Sequence, residues 1–224
     1  TQKGDHQVVE VIDTGIEATH QAFSGSMDGV DVRLSQGDVE ALVGKLPHGK
    51  TGAYLNNKIP FVFDYADNDA DVLPKSSKDL SHGTHVAAIA AANAADLQGT
   101  APHAQIIVAK VASDKDGSIP DNTVLAALDD AVVIKPDSIN LSLGEDAGMG
   151  TEAGTMYAEV YKNLAAAGVT VNAAAGNSYS SAYSNYSGKN KPFATDPDAG
   201  TVSEPGSYAS TLAVASVNNQ DALP

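Results

Sequence analysis

The chain has 224 residues, long enough to bury a sizeable core without disulfide or metal staples. Its 13 basic and 28 acidic side chains leave a net charge of −15, which argues against nucleic acid and against anionic membrane surfaces as partners. The composition, 42% hydrophobic and 18% charged, is that of a globular protein, and the lack of cysteine removes disulfide scaffolds, thiol nucleophiles and Cys-ligated zinc.

In chain order, Val8-Val9-Glu10-Val11-Ile12 predicts a buried strand stopped by Asp13-Thr14-Gly15. Residues 59–65 predict a second strand. Residues 82–93 predict a helix with Ser81 at its N-cap. A strand over 105–111 and a helix over 122–133 follow. Residues 137–143 predict a strand entered through Lys135-Pro136. Residues 151–167 predict a helix ending at Gly168, a residue suited to the position just past a helix. Further strands are expected over 169–174 and 211–217. Strands alternating with helices predict an α/β fold, a parallel sheet flanked by helices on both faces. Continuous apolar strands fit burial on both sides.

Two polar stretches interrupt this pattern. Residues 24–58, with a short helix near 37–46, and residues 178–206 read as surface insertions in one domain spanning 1–224. No internal repeat or dividing linker is present. No run of about 18 apolar residues predicts membrane insertion. Thr1-Gln2-Lys3-Gly4-Asp5-His6-Gln7 contains no apolar leader core, so the sequence is expected to begin as a mature or excised segment or to belong to a protein never exported, and the lack of an initiator Met favours excision.

In open parallel sheets, chemistry gathers at the carboxyl ends of strands. Asp13 sits there, placed to orient a histidine, bind a metal or close a turn. Ser81-His82-Gly83-Thr84-His85-Val86-Ala87 opens an Ala-rich helix, and the Gly after His82 allows another chain to approach the imidazole. His82 and His85, three apart, share a helix face, so zinc is an alternative, although the H-E-x-x-H pattern is absent. A structural histidine is a third reading. Asn140-Leu141-Ser142-Leu143-Gly144 and Ala173-Ala174-Ala175-Gly176-Asn177-Ser178 end two strands in small residues that admit a peptide backbone. Asn177 offers an amide N–H there, as an oxyanion donor or as a turn residue. Taken together, an Asp, a His, a small-residue edge and an Asn amide suit acyl transfer, with His as general base.

These stretches resemble the subtilisin-type serine proteases. Val11-Ile12-Asp13-Thr14-Gly15-Ile16 resembles the aspartate motif and His82-Gly83-Thr84-His85-Val86-Ala87 the histidine motif. Gly99-Thr100-Ala101-Pro102-His103-Ala104 resembles the stretch leading into the next core strand. Asn140-Leu141-Ser142-Leu143-Gly144 resembles the substrate-binding edge, and Ala174-Ala175-Gly176-Asn177 the oxyanion-hole motif. Pro205-Gly206-Ser207-Tyr208-Ala209-Ser210 resembles the segment before the following strand. The resemblance implies a subtilisin-like fold and three catalytic roles. Asp13 orients the imidazole, His82 is the general base, and Asn177 donates to the oxyanion. It also implies that Ser142, Leu143 and Gly144 pair with the substrate backbone, and that Ala174, Ala175 and Gly176 wall the pocket beside the scissile bond.

The family's Gly-Thr-Ser-Met-Ala-x-Pro nucleophile motif is absent, as is any Gly-Thr-Ser tripeptide. The sequence is therefore expected to be the N-terminal part of a peptidase domain, inactive alone, with the rest of its precursor as the partner supplying the serine. A pseudoprotease binding peptides or proteins is the alternative. A nucleotide-binding domain is disfavoured because no G-x-G-x-x-G turn follows Asp13. Lys58-Ile59-Pro60-Phe61-Val62-Phe63-Asp64-Tyr65-Ala66-Asp67-Asn68 resembles the Gram-positive cell-envelope proteinases of the lactocepin and C5a-peptidase type. That resemblance implies a secreted or wall-anchored enzyme acting on protein or peptide. No cofactor is required by this chemistry.

The family resemblance leaves room for structural calcium without assigning ligands. Asp67-Asn68-Asp69-Ala70-Asp71 resembles the start of an EF-hand loop, but Val72 stands where Gly is needed. Asp114, Asp116 and Gly117 lie in a comparable turn. Tyr179, Tyr183 and Tyr186 read either as a substrate wall or interface, or as part of an exposed loop.

Overall fold

The computed structural model describes residues 2–76, 81–145, 155–177 and 202–216. Six parallel strands form one sheet: β1 (Val8–Asp13), β2 (Phe61–Asp64), β3 (Gln105–Lys110), β4 (Ser138–Leu141), β5 (Thr170–Ala174) and β6 (Leu212–Val214). Their order is β2-β3-β1-β4-β5-β6. The connections from β1 and from β4 run to opposite sides of the sheet. That divergence opens a crevice at the carboxyl ends of these two neighbours, where open α/β sheets bind ligands.

Alternation along each strand divides the core in two. Ile12, Phe61, Phe63, Ile107 and Ile139 face one layer, packed with Val39 of α1 (Gln36–Val43), Leu128 of α3 (Asp121–Ile134) and Tyr161 of α4 (Met156–Ala166). Val11, Val62, Ile106 and Val108 face the other, against Ala87 and Ala91 of α2 (His82–Ala91). Methyl side chains let α2 lie close to the sheet. The α/β fold with helices on both faces is the one predicted.

The strands are shorter than the apolar runs suggest. Val111 and Leu143 continue their runs beyond β3 and β4, one buried in the core and the other packed against it. α4 starts at Met156, capped by the Thr155 hydroxyl accepting from Ala158 N, while residues 151–154 lie outside the described set. Gly168 follows α4 at φ +83°, as expected. Ser81 precedes α2, but it sits at φ −94°, ψ −7° and its side chain makes no capping bond. The 24–58 segment does not merely lie on the surface. Leu34, Val39 and Leu46 are buried, and the Gln105 side chain ties the segment to β3 by accepting from Arg33 N and Leu34 N and donating to Leu34 O and Asn57 O. α1 carries a reciprocal Ser35–Asp38 capping box.

β6 departs from the expectation of two-sided burial. Among the described residues it pairs with β5 alone, and Leu212 and Val214 are 57% and 58% exposed.

Several ionisable groups are buried inside the fold, among them Lys58, Asp130 and Glu10. Lys58 donates from Nζ to Pro102 O and Ala104 O at 2.9 and 2.6 Å, and desolvation pulls its ammonium down to about 7. Asp130 on α3 accepts from His48 N, Gly49 N and Tyr65 Oη. Glu10, in the middle of β1, is fully buried and neither carboxyl oxygen has a partner among the described residues. Desolvation, reinforced by Asp130, pushes its carboxyl up to about 8.

Candidate active site

β1 delivers Asp13 to the crevice as its last residue, and α2 delivers His82 as its first. His82 Nδ1 lies 2.7 Å from Asp13 Oδ1. Asp13 is 2% exposed, whereas the His82 side chain is 38% exposed. Asp13 Oδ1 also accepts from Thr14 N at 2.7 Å, which fixes the carboxylate plane. A carboxylate only accepts, so in this bond the imidazole donates from Nδ1, the tautomer whose other nitrogen, Nε2, is the basic one. Nδ1 is thereby unavailable to a metal. His85 is exposed on the next turn.

Gly83 makes the approach of β1 to α2 feasible. A Cβ there would lie 2.1 Å from Gly15 O and 3.1 Å from Asp13 Oδ1. Two threonines then stitch the turn after β1 to the start of α2. Gly83 N donates to Thr14 Oγ1 at 3.2 Å, and Glu17 N donates to Thr84 Oγ1 at 2.9 Å. Both residues belong to the motifs read from the sequence, where no role was visible for them.

β4 and β5 supply the opposite side. A cleft of about 450 Å³ is lined by His82, Ser142, Leu143, Gly144, Ala174, Gly176, Asn177 and Ser203. The cleft thus collects His82 and Asn177 with five of the six expected substrate-binding residues. Ala175 is not among its lining; its N–H donates to Val214 O and its carbonyl accepts from Ser203 N. Ser203 was not singled out from the sequence. It packs so closely on Gly176 that a Cβ on the latter would fall 1.8 Å from Ser203 Oγ, and Gly176 also needs φ +99°. Tyr179, Tyr183 and Tyr186 lie outside the described residues.

Beside Asp13 lies a second constellation. Asp64, Lys110 and Asp13 occupy one register row across β2, β3 and β1. Lys110 is 1% exposed and donates to Asp64 and to Asp114, the latter at 2.6 Å. Lys75 Nζ bridges Asp114 and Asp71 at 2.7 and 2.9 Å. Burial alone would lower the Lys110 ammonium, but its bonds to Asp114 and Asp64 outweigh this and raise it. Asp64, Asp67 and Asp114 form the one group with metal-ligand spacing among the described residues. An ammonium already sits among them. In the EF-hand-like stretch, Asp69 and Asp71 close turns onto Asp71 N and Leu73 N.

Comparison with known proteins identifies the family. The Subtilase family (Peptidase_S8) matches residues 4–224. The PI-type proteinase of Lactococcus lactis subsp. cremoris is 37% identical over 229 residues, covering 99% of this chain and 12% of that protein. The C5a peptidase of Streptococcus pyogenes is 30% identical, covering 96% of this chain and 18% of that protein. The chain therefore spans only a small part of the relatives it matches. Among solved structures, the S41 psychrophilic protease superposes with a TM-score of 0.56 at 22% identity over 96% of this chain and 53% of that one. Fervidolysin from Fervidobacterium pennivorans, a keratinolytic enzyme related to subtilisin, gives 0.53 at 21% over 79% and 22%. These two likenesses concern the fold. With its Asp–His pair, its crevice and a match along nearly its whole length, the chain belongs to the subtilase family.

Proposed function

We propose that this chain is the part of an extracellular serine endopeptidase that carries the base, its orienting carboxylate and the oxyanion donor. The observation that carries this reading is the 2.7 Å bond from His82 Nδ1 to the buried Asp13 carboxylate, at the mouth of a cleft that also holds Asn177. His82 Nε2 takes the proton of an attacking serine hydroxyl and returns it to the leaving amine. Asp13 holds the tautomer and stabilises the imidazolium during both transfers. The Asn177 amide donates to the oxyanion of the tetrahedral intermediate. The substrate lies as an added strand along Ser142, Leu143 and Gly144.

The serine comes from a precursor segment outside these 224 residues, since none of their serines stands in a Gly-Thr-Ser motif. This chain alone is then inactive. Substrates are proteins or peptides. The similarity to the PI-type proteinase of Lactococcus lactis and the C5a peptidase of Streptococcus pyogenes supports a secreted or wall-anchored location.

Intact mass after treatment with a fluorophosphonate probe tests the reading. The full-length protein gains one probe adduct and the isolated chain gains none. An unlabelled full-length protein replaces this reading with a peptide-binding pseudoprotease. Labelling of the isolated chain shows that one of its own serines is activated.

A further inference from the structure

A second cavity, of about 550 Å³, lies beyond Leu143 and Gly144, which also line the catalytic cleft. α3, α4 and the segment before β6 enclose it. Its apolar lining is Ile119, Val124, Leu143 and Pro205. Its polar lining is unusual in sign. Asp121, Glu145 and Glu204 contribute carboxylates, and no Lys, Arg or His lines it among the described residues.

The hydrogen bonds within it are unbalanced as well. Tyr157 Oη donates to Asp121 Oδ1 at 3.1 Å, and Tyr208 Oη donates to Glu204 Oε1 at 2.6 Å. The Thr155 side chain is engaged with Tyr208. These hydroxyl hydrogens are spent, so what these groups still offer a ligand is lone pairs. Tyr161 is the exception. It is 1% exposed, lines the same cavity, and its hydroxyl has no hydrogen-bond partner among the described residues. A buried hydroxyl without a partner is a costly arrangement, and a polar ligand atom at that oxygen, such as an ammonium or guanidinium donor, would relieve it.

The three tyrosines also form one aromatic cluster. The Tyr161 ring centroid lies 6.0 Å from that of Tyr157 and 5.2 Å from that of Tyr208. Aromatic faces beside carboxylates attract cations.

We infer that this cavity is a cation-selective subsite that receives a lysine or arginine side chain of the bound peptide. The inference rests on the proposal that the peptide lies along Ser142–Gly144, because that path passes both cavities. A Lys ammonium or Arg guanidinium carries donors and no acceptors, matching the excess of lone pairs. The aliphatic stem of either side chain covers Leu143, Val124 and Ile119. A glutamate is repelled, and a norleucine fills the apolar lining but leaves the Tyr161 hydroxyl unanswered.

The test uses the full-length protein and a fluorescent neutral peptide in which Lys, Arg, norleucine or Glu is placed at one position at a time. Anisotropy is read in the cold immediately after mixing, before turnover, and kcat/KM is measured separately. At one position Lys and Arg should bind at least about tenfold more tightly than norleucine, with Glu weakest, and the advantage should shrink in high salt. The variant Asp121→Asn/Glu204→Gln should lose that advantage and keep wild-type affinity for the norleucine peptide. Norleucine matching Lys at every position overturns the inference, as does a Lys advantage that survives the double substitution. If the double variant misfolds and loses the norleucine peptide too, the salt dependence of the wild-type protein decides. Binding without any hydrolysis counts against the proposed activity and leaves the charge preference to be read from affinity alone.

Discussion

Replacing Glu10 by Gln should stabilise the protein, increasingly so at alkaline pH. Glu10 is fully buried with both carboxyl oxygens unpartnered among the described residues, and burial lifts its carboxyl from 4.5 to about 8. The unfolded chain releases that proton near the ordinary value. Between these two values folding takes up a proton, so stability falls as pH rises and levels off above the folded value. At about 1.4 kcal/mol per unit, the full shift corresponds to a ceiling of about 5 kcal/mol. Gln has nearly the same shape and does not titrate. Wild type and Glu10→Gln should therefore be close in stability at about pH 5 and diverge by several kcal/mol at about pH 8. Urea unfolding of both proteins at each pH, followed by far-UV circular dichroism, measures the difference. A gap independent of pH would refute the reasoning, since it would mean that Glu10 ionises alike in the folded and unfolded states.

Four further outcomes are expected. In the full-length protein, His82→Ala should lower kcat by a factor on the order of 10⁶ and Asn177→Ala by on the order of 10²–10³, both magnitudes being carried over from subtilisin; full activity in either would remove that residue from the site. Gly83→Ala forces a Cβ to within 2.1 Å of Gly15 O, so the Asp13–His82 bond should distort and kcat should drop by roughly 10²-fold with little change in KM. Lys110→Met leaves Asp64 and Asp114 without their buried counter-charge and should cost about 3–5 kcal/mol in denaturant unfolding. The isolated chain, with Leu212 and Val214 exposed on β6, should self-associate or melt without cooperativity, and a monodisperse monomer in sedimentation velocity with a sharp melt would contradict this.

Much of the framework is legible from local pattern. The β-branched runs place β1 through β5, and Gly168 marks the end of α4 through its positive φ. Strand ends are overrun because Val111 and Leu143 remain apolar after the ladder stops, and burial rather than pairing is what an apolar run reports. Ser81 shows the converse: the residue type suits a cap, but its helical backbone leaves the hydroxyl without a capping bond. The Ser35–Asp38 capping box was present as a signal and predicts α1 more closely than composition does. At the site, Asp13, His82 and Asn177 stand in ordered motifs. The row of Asp64, Lys110 and Asp13 does not, because it exists only once β2, β3 and β1 are in register. Glu10 is likewise opaque: a single acid in an apolar strand carries no sign of whether a partner awaits it.

The position of β1 at the centre of the sheet has a kinetic consequence. Its neighbours are β3 on one side and β4 on the other, and the Val8 N–H is met by an Asp137 carboxylate 129 positions later in the chain. Of the six strands, β1 is thus synthesised first, and its ladder waits longest for completion. Such non-local pairing makes folding slow, because chain-closure entropy must be overcome before the contacts that reward it exist. The Asp13–His82 pair can assemble from the first half of the sequence, whereas the cleft residues Ser142, Leu143, Gly144 and Asn177 arrive only with the second. During synthesis the β4-facing edge of β1 stands open, carrying the apolar Val9 and Val11 between unpaired backbone groups. This interval is where the nascent chain is most exposed to wrong pairing, and where a chaperone would act.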